Sequence, residues 1–423
     1  MKRSENVSYL LLITGNFNAA HNPAWGREMQ YSSNSRVNMV GFALLFAATL
    51  LTACGGQKAR MQEIDGVLHV MNPVDPMNPG MVIDIQEDFR IGQDEGEDEY
   101  IFPGITGLTV DANGRAFVLV AQDDAIRVFK PDGSYSHAIG RQGQGPGELF
   151  AAQTINRGPE GNIWVASMGT QKITIFEPEG TYLRDITFPR LPPVFVQTTA
   201  DGFMGLYVNP VPTDDPMLMS ITYSLRRFTA EGDSLNNLFE NTVQMDLTDL
   251  QLGGLQDQIP FYTQDDQGRV WQTRARTDIF EVNVYNPEGS LDRVVEKEHV
   301  KIEKSEEEIQ DEKDMVERAM AAQMGQVPDE VNLSYEPERY RVATGFPHYD
   351  PRGYVWVQTS REGTMDTNDF LLFDMRGQYV QKVMIPDVMS PLFLTFVGDK
   401  LYLVDQNPDV SPQVIVYTVT ISN

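Results

Sequence analysis

The chain has 423 residues, 41% hydrophobic and 10% aromatic, which is enough apolar surface for a packed core and excludes wholesale disorder. Its 33 Lys and Arg stand against 60 Asp and Glu, a formal charge of -27, which argues against a protein built to neutralise nucleic-acid phosphates. A single Cys excludes an intrachain disulfide scaffold.

In chain order the first readable element is an address. Val40–Ala53 is nearly all apolar or small, follows Arg36, and runs into Leu51-Thr52-Ala53-Cys54-Gly55-Gly56. A stretch of about 14 such residues is short for a bilayer span and has the length of a signal-peptide core. The small residues before the thiol resemble a bacterial lipobox. That resemblance implies cleavage after Ala53, lipid attachment at Cys54 and a place in the bacterial cell envelope, touching the membrane through the anchor only. The expected organisation is a leader and signal peptide over 1–53, with Met29 rather than Met1 as the start, a tether over 54–63, and one folded domain over 64–423.

Two strand-like pieces follow, Gly66–Val70 and Met81–Phe89. Asp94-Glu95-Gly96-Glu97-Asp98-Glu99 is rich in oxygen ligands but lacks the EF-hand order, and reads as a solvated loop.

From here the chain repeats itself. An acidic-to-Gly turn followed by an alternating run occurs at Asp111–Gly114, Pro159–Gly161, Asp201–Gly202, Asp265–Gly268, Asp350–Gly353 and Gly398–Asp399. After each comes an apolar strand carrying an aromatic residue, and in five copies another Gly turn: Phe129 to Gly133, Phe176 to Gly180, Phe228 to Gly232, Tyr285 to Gly289 and Phe373 to Gly377; the sixth, at Tyr417, ends without one. Pro and Gly in these turns preset the φ values that tight hairpins need. Four short antiparallel strands per unit, six times over, predict an all-β, six-bladed β-propeller. The last unit lacks its outermost strand, so one of the two early strand-like pieces is expected to complete it and close the ring.

The stretch Gly140-Arg-Gln-Gly143-Gln-Gly145-Pro146-Gly147-Glu148-Leu149 looks like an interblade signature of NHL-repeat propellers. Together with the lipobox and the Asp-x-x-Gly turns, it makes the chain resemble the six-bladed propeller lipoproteins of bacterial envelopes. The resemblance implies a non-catalytic platform that binds a protein, peptide or glycan through one end face. The alternative it leaves open is a lactonase-like, metal-dependent hydrolase with its site in the central tunnel.

The connection between the fourth and fifth copies is much longer than the others. Ser305-Glu-Glu-Glu308 reads as a capping box opening a helical insertion at about 301–326, with Ile309, Val316 and Met320 on its apolar face and acids opposite.

The residues offer little chemistry. Gly143–Gly147 lacks the Lys-Ser/Thr of a phosphate loop, and Pro146 removes a donor, so it reads as a turn. Ser167-Met-Gly169 has no base near it in sequence. His69, His137, His299 and His348 lack ligand spacing. Asp111 and Asp350 read as turn formers, and Trp164, Trp271 and Trp356, at equivalent positions, as packing residues. No catalytic residue, metal ligand, cofactor or ligand-binding residue is assigned; Cys54 is the one site residue expected.

Overall fold

The computed structural model describes residues 58–120, 123–215, 217–246, 250–251, 255–323, 333–360, 367–386, 388, 391–405 and 410–422. The expected leader and Cys54 lie outside the described residues.

The chain folds as a six-bladed propeller. It opens with β1 (Arg60–Ile64), β2 (Val67–Asn72) and β3 (Val82–Ile91). The first blade is β4 (Ile105–Val110), β5 (Ala116–Val120), β6 (Ala125–Phe129) and β7 (Tyr135–Ile139), and the second is β8 (Ala152–Arg157), β9 (Ile163–Ser167), β10 (Lys172–Phe176) and β11 (Tyr182–Thr187). The third is β12 (Val194–Thr199), β13 (Gly202–Val211), β14 (Leu218–Thr229) and β15 (Ser234–Asp246). After β16 (Leu250–Gln251), the fourth is β17 (Pro260–Gln264), β18 (Val270–Arg274), β19 (Phe280–Tyr285) and β20 (Leu291–Lys297). Helix α1 (Glu306–Gln323) and β21 (Leu333–Ser334) lead to the fifth, β22 (Pro347–Asp350), β23 (Tyr354–Thr359), β24 (Thr367–Asp374) and β25 (Tyr379–Pro386). The sixth is β26 (Pro391–Val397), β27 (Lys400–Asp405) and β28 (Gln413–Ser422), with β3 as its outermost strand.

Of the two early pieces, Met81–Phe89 is therefore the one that closes the ring, pairing antiparallel with β28 from Val82↔Ser422 to Ile91↔Val414. The other piece does something the repeat did not announce. β2 adds in parallel to β20, and β1 adds outside β2, so the fourth sheet has six strands; the ordered fold thus begins inside the stretch expected as tether. Between these two attachments the chain straps across the fifth blade: Met77 and Asn78 donate N–H bonds to Tyr379 and Val380 carbonyls at 3.0 and 3.1 Å. Buried Asn72 is the hub, its amide donating to Glu296 O and Gly377 O and accepting from Tyr379 N–H at 2.7 Å.

The core is radial. Each seam between blades carries its own apolar cluster, because a blade sheet is apolar on both faces and only its neighbours can cover them. Second strands such as β5 and β9 are accordingly buried along their whole length, whereas the outer strand β7 alternates. One position recurs. Phe117, Trp164, Trp271 and Trp356 each stand three residues past the turn glycine and face the next blade, and Tyr402 faces the first blade in the same way. In the third blade the turn is shorter, Phe203 faces backwards against Trp164, and Met204 takes the forward place. Burying each such side chain stabilises the fold by about 2–3 kcal/mol.

The turn acids are hydrogen-bond hubs. Asp265 Oδ1 accepts the N–H of Gln267 and Arg269, and Oδ2 accepts Arg269 Nε at 2.8 Å and the Trp271 indole N–H at 2.9 Å. Asp350 accepts from Arg352 and from Trp356 Nε1 at 3.1 Å, and Asp111 from Asn113, Arg115 and the Arg115 side chain. This is the turn-forming role expected for Asp111 and Asp350, extended by an ion pair to Arg and, at Asp265 and Asp350, by a Trp. The second blade has Gly158 in that place; a Cβ there would come within 2.4 Å of Trp164 Nε1, which has no hydrogen-bond partner among the described residues.

The insertion is a helix late in the chain. Ser305 N–H donates to Glu308 Oε2 at 2.8 Å and Glu308 N–H to Ser305 Oγ at 3.2 Å, the reciprocal pair of a capping box. Its buried face holds Val316, as the spacing predicts, and also Glu312, which bonds Lys304 Nζ at 2.6 Å and the Tyr335 hydroxyl.

Candidate functional site

The first strands of the blades surround the axis, β4 touching β8 and β26, β8 touching β12, and β22 touching β17 and β26. The remaining gap is bridged by Gln197 Nε2, which donates to Tyr262 O at 3.0 Å, and by the Tyr262 hydroxyl on Phe195 O.

Opposite each forward-facing packing residue on the second strand stands a polar residue on the first: Thr109, Asn156, Gln197, Thr263, His348 and Thr395. All six are neutral hydrogen-bonding groups at neutral pH. His348 is the one that titrates, and burial pushes it down to about 4. Its Nδ1 lies 3.2 Å from Leu394 O, so in the neutral ring Nδ1 carries the proton and donates across the seam to the sixth blade. Asn156 accepts from Thr198 Oγ1 at 3.3 Å.

Four first strands carry a β-bulge near their beginning: β4, β8, β12 and β26. A bulge inserts one residue and re-aims side chains locally. In β12 and β26 it leaves Phe195 and Phe393 with φ of 51° and 53°. Left-handed backbone on a bulky aromatic costs about 1–3 kcal/mol and persists only where surroundings fix it. Here Phe195 N–H donates to Thr154 Oγ1 at 3.2 Å while its carbonyl accepts from Tyr262. The Phe195 ring meets Phe346 at 6.2 Å, and Phe346 stacks on Phe261 at 3.9 Å. Residues of blades three, four and five thus form one aromatic patch where the outer-to-inner connections enter the first strands.

The other sequence-level candidates fall outside this arrangement. The Gly140–Leu149 stretch is a turn that fills its own anion position: Glu148 Oε2 accepts Gly145 N–H at 2.8 Å, and a Cβ at Gly143 would meet that oxygen at 2.2 Å. Asp94–Glu99 is exposed, tied down where Asp94 accepts Ser411 N–H and Arg127 binds three carbonyls of residues 98–101. His69 pairs with Glu296 on the outer edge, His137 bonds Ser136, and His299 is held below its usual range by burial and by Lys297 and Lys301. Ser167 does have a base-type neighbour, Lys172 directly across the ladder, but Ser167 is wholly buried. Among the described residues no three His, Cys, Asp or Glu side chains are grouped to hold a metal ion. The axial residues were missed because Thr, Asn, Gln and His at one position per repeat carry no motif; aligning the units from the turn glycine backwards would have found them.

A family profile described as DUF5128, 6-bladed beta-propeller, matches residues 95–319, more than half of the chain. The chain belongs to this family. No curated protein matches it. Among solved structures, this DUF5128 propeller is similar to a member of the DUF4221 family from Bacteroides vulgatus, at 11% identity and TM-score 0.46 over 81% of this chain and 99% of that one. It is also similar to a putative exported protein from Bacteroides fragilis, at 10% identity and TM-score 0.43 over 84% and 100% of the two chains. A third is the PQQ-bound aldose sugar dehydrogenase of Streptomyces coelicolor, at 10% identity and TM-score 0.43 over 80% and 99%. None of these likenesses carries an activity over to the present DUF5128 chain.

Proposed function

We propose that the protein is a lipid-anchored component of the bacterial cell envelope whose propeller binds a protein, peptide or glycan at the channel end bearing Phe195, Phe261 and Phe346. The anchor reading rests on Leu51-Thr52-Ala53-Cys54. The binding reading rests on one observation: the axial position of every blade carries an uncharged hydrogen-bonding side chain, next to a shared aromatic patch. Such a surface recognises neutral polar groups and apolar faces together. The formal net charge of the chain, -27, disfavours acidic partners at low salt.

The test uses membrane-extracted protein and an Asn156→Ala/Gln197→Ala variant, each presented to a glycan array and to solubilised envelope proteins. A ligand held by the parent and lost by the variant, at equal thermal stability, supports the reading. Equal capture by both overturns the channel site, and calcium-dependent turnover of a lactone panel overturns the non-catalytic reading. Mass spectrometry of the mature N-terminus decides the anchor: a diacylated Cys54 supports it, and an unmodified or differently placed N-terminus overturns it.

A further inference from the structure

The seam between the first two blades holds a polar cluster that the channel does not use. Ser167 at the end of β9 stands opposite Lys172 at the start of β10, and Thr174, two residues on, stands opposite Asp185 of β11. Opposite residues and residues two apart share a sheet face. Val165 and Phe176 lie on that face and pack in the first seam, so all four polar side chains point at blade one. Ser167 and Thr174 are 0% exposed and Lys172 6%.

Lys172 Nζ donates to Gly145 O at 2.9 Å and to Asp185 Oδ2 at 3.1 Å, fastening the interblade glycine turn to the sheet. That leaves the third Nζ proton. Among the described residues, Ser167 Oγ, Thr174 Oγ1 and Asp185 Oδ1 are buried without a hydrogen-bond partner. One unpartnered hydroxyl is a packing fault, whereas three such atoms gathered on a single ion pair make a binding shell. Its charge is balanced, Lys172 against Asp185, so neither a cation nor an anion is favoured. Its donors are an ammonium N–H and two hydroxyls; its acceptors are a carboxylate oxygen and the same hydroxyls. The molecule that donates two hydrogen bonds and accepts two in so small a space is water.

We infer that this seam contains a structural water site, holding one or two waters on Ser167, Thr174, Asp185 and Lys172. The water accepts from Lys172, donates to Asp185 Oδ1 and exchanges hydrogen bonds with the two hydroxyls. It thereby completes a lock between the Gly145 turn and the second blade. Ser167 and Lys172 serve as its walls, not as a nucleophile and its base.

The sign of a stability change tests this. In a dry seam, Ser167→Ala and Thr174→Val would each delete an unsatisfied group and raise Tm. In a hydrated seam each deletes a partner of the water and lowers Tm by a few degrees, and the double variant loses less than the sum because the same water is lost once. A high-resolution crystal structure is the second readout, with water density about 3 Å from Ser167 Oγ, Thr174 Oγ1 and Asp185 Oδ1 expected. Unchanged or raised Tm in both single variants overturns the inference, as does a seam without density or an anomalous signal marking an ion.

Discussion

Val295 on the outer strand of the fourth blade occupies the space that a Cβ on Gly377 would need, with Cγ2 only 2.4 Å from that position. The relation recurs around the ring. In the first five blades the second turn glycine packs on the outer strand of the blade before: Gly133 on Phe89, Gly180 on Ile139, Gly232 on Ile186 and Gly289 on Leu238 and Asn236, with Gly377 on Val295 as the fifth. These glycines therefore serve two demands at once, a positive φ and a close approach that lets blades nest.

The two demands separate in a graded series. Gly161 has φ +81° with nothing within 4 Å, whereas Gly377 has φ +84° and the Val295 contact. Gly161→Ala is expected to cost about 1–2 kcal/mol from backbone strain alone. Gly377→Ala adds overpacking of about 1–3 kcal/mol. Urea unfolding of both variants reads the difference; equal losses would mean the Val295 contact yields freely.

Asp350 and Trp356 make a second separable pair. Trp356→Phe removes one donor, leaves Asp350 paired with Arg352, and is expected to cost about 1 kcal/mol. Asp350→Ala strands a partly buried guanidinium and a buried indole N–H, and is expected to cost about 3–5 kcal/mol. Chemical denaturation of the two variants checks the order, and a Trp356→Phe loss as large as the Asp350→Ala loss would contradict it.

His348 gives the channel a pH signature. Its folded pKa, about 4, lies below the usual value of about 6.5, so the unfolded chain binds a proton that the folded chain refuses. Stability contributed by the neutral ring is complete above about pH 6.5 and is lost as pH falls toward 4, by roughly 3 kcal/mol in all. Subtracting the pH-stability curve of His348→Gln from that of the parent isolates this slope. A flat difference between pH 4 and 6.5 would show that the ring already carries its proton when folded.

The flap on α1 hangs on a buried ion pair. Lys304→Met leaves Glu312 enclosed with only the Tyr335 hydroxyl, and is expected to weaken docking of the helix by about 3–5 kcal/mol. Replacing the set together, Lys304→Met with Glu312→Leu and Tyr335→Phe, should restore most of the loss. Hydrogen exchange at residues 306–316 reads docking locally while the blades act as internal standard.

The blade count, the hairpin turns, the closing strand and the capping box were legible because each rests on local chemistry: Gly at positive φ, Asp bonding its own turn, Ser305 and Glu308 three residues apart. What was hidden depends on partners far away in sequence. Nothing about Val67–Asn72 says that it adds in parallel to β20, since an edge strand accepts either direction and the choice is made by Asn72 meeting Glu296, Gly377 and Tyr379. The burial of Glu312 was hidden because Lys304 and Tyr335, which neutralise and cover it, come from opposite ends of the insertion. The channel lining was hidden for a related reason: whether Gln197 or Thr198 faces forward depends on a turn one residue shorter in the third blade.

β1, β2 and the crossing at Met77–Asn78 cover the outsides of blades four and five, but every blade there already has four strands without them. β3 is different, for without it β28 has a bare edge and the sixth blade has three strands. Removing residues 60–80 should therefore leave a cooperative propeller of lower Tm. Removing 60–91 should abolish the cooperative transition, since Ile91 and Phe89 also leave the seam with blade one. With no disulfide available to the single Cys, ring integrity rests on this ladder. Calorimetry of the two truncations decides the matter, and a sharp unfolding peak in the longer one would mean that the ring closes by side-chain packing alone.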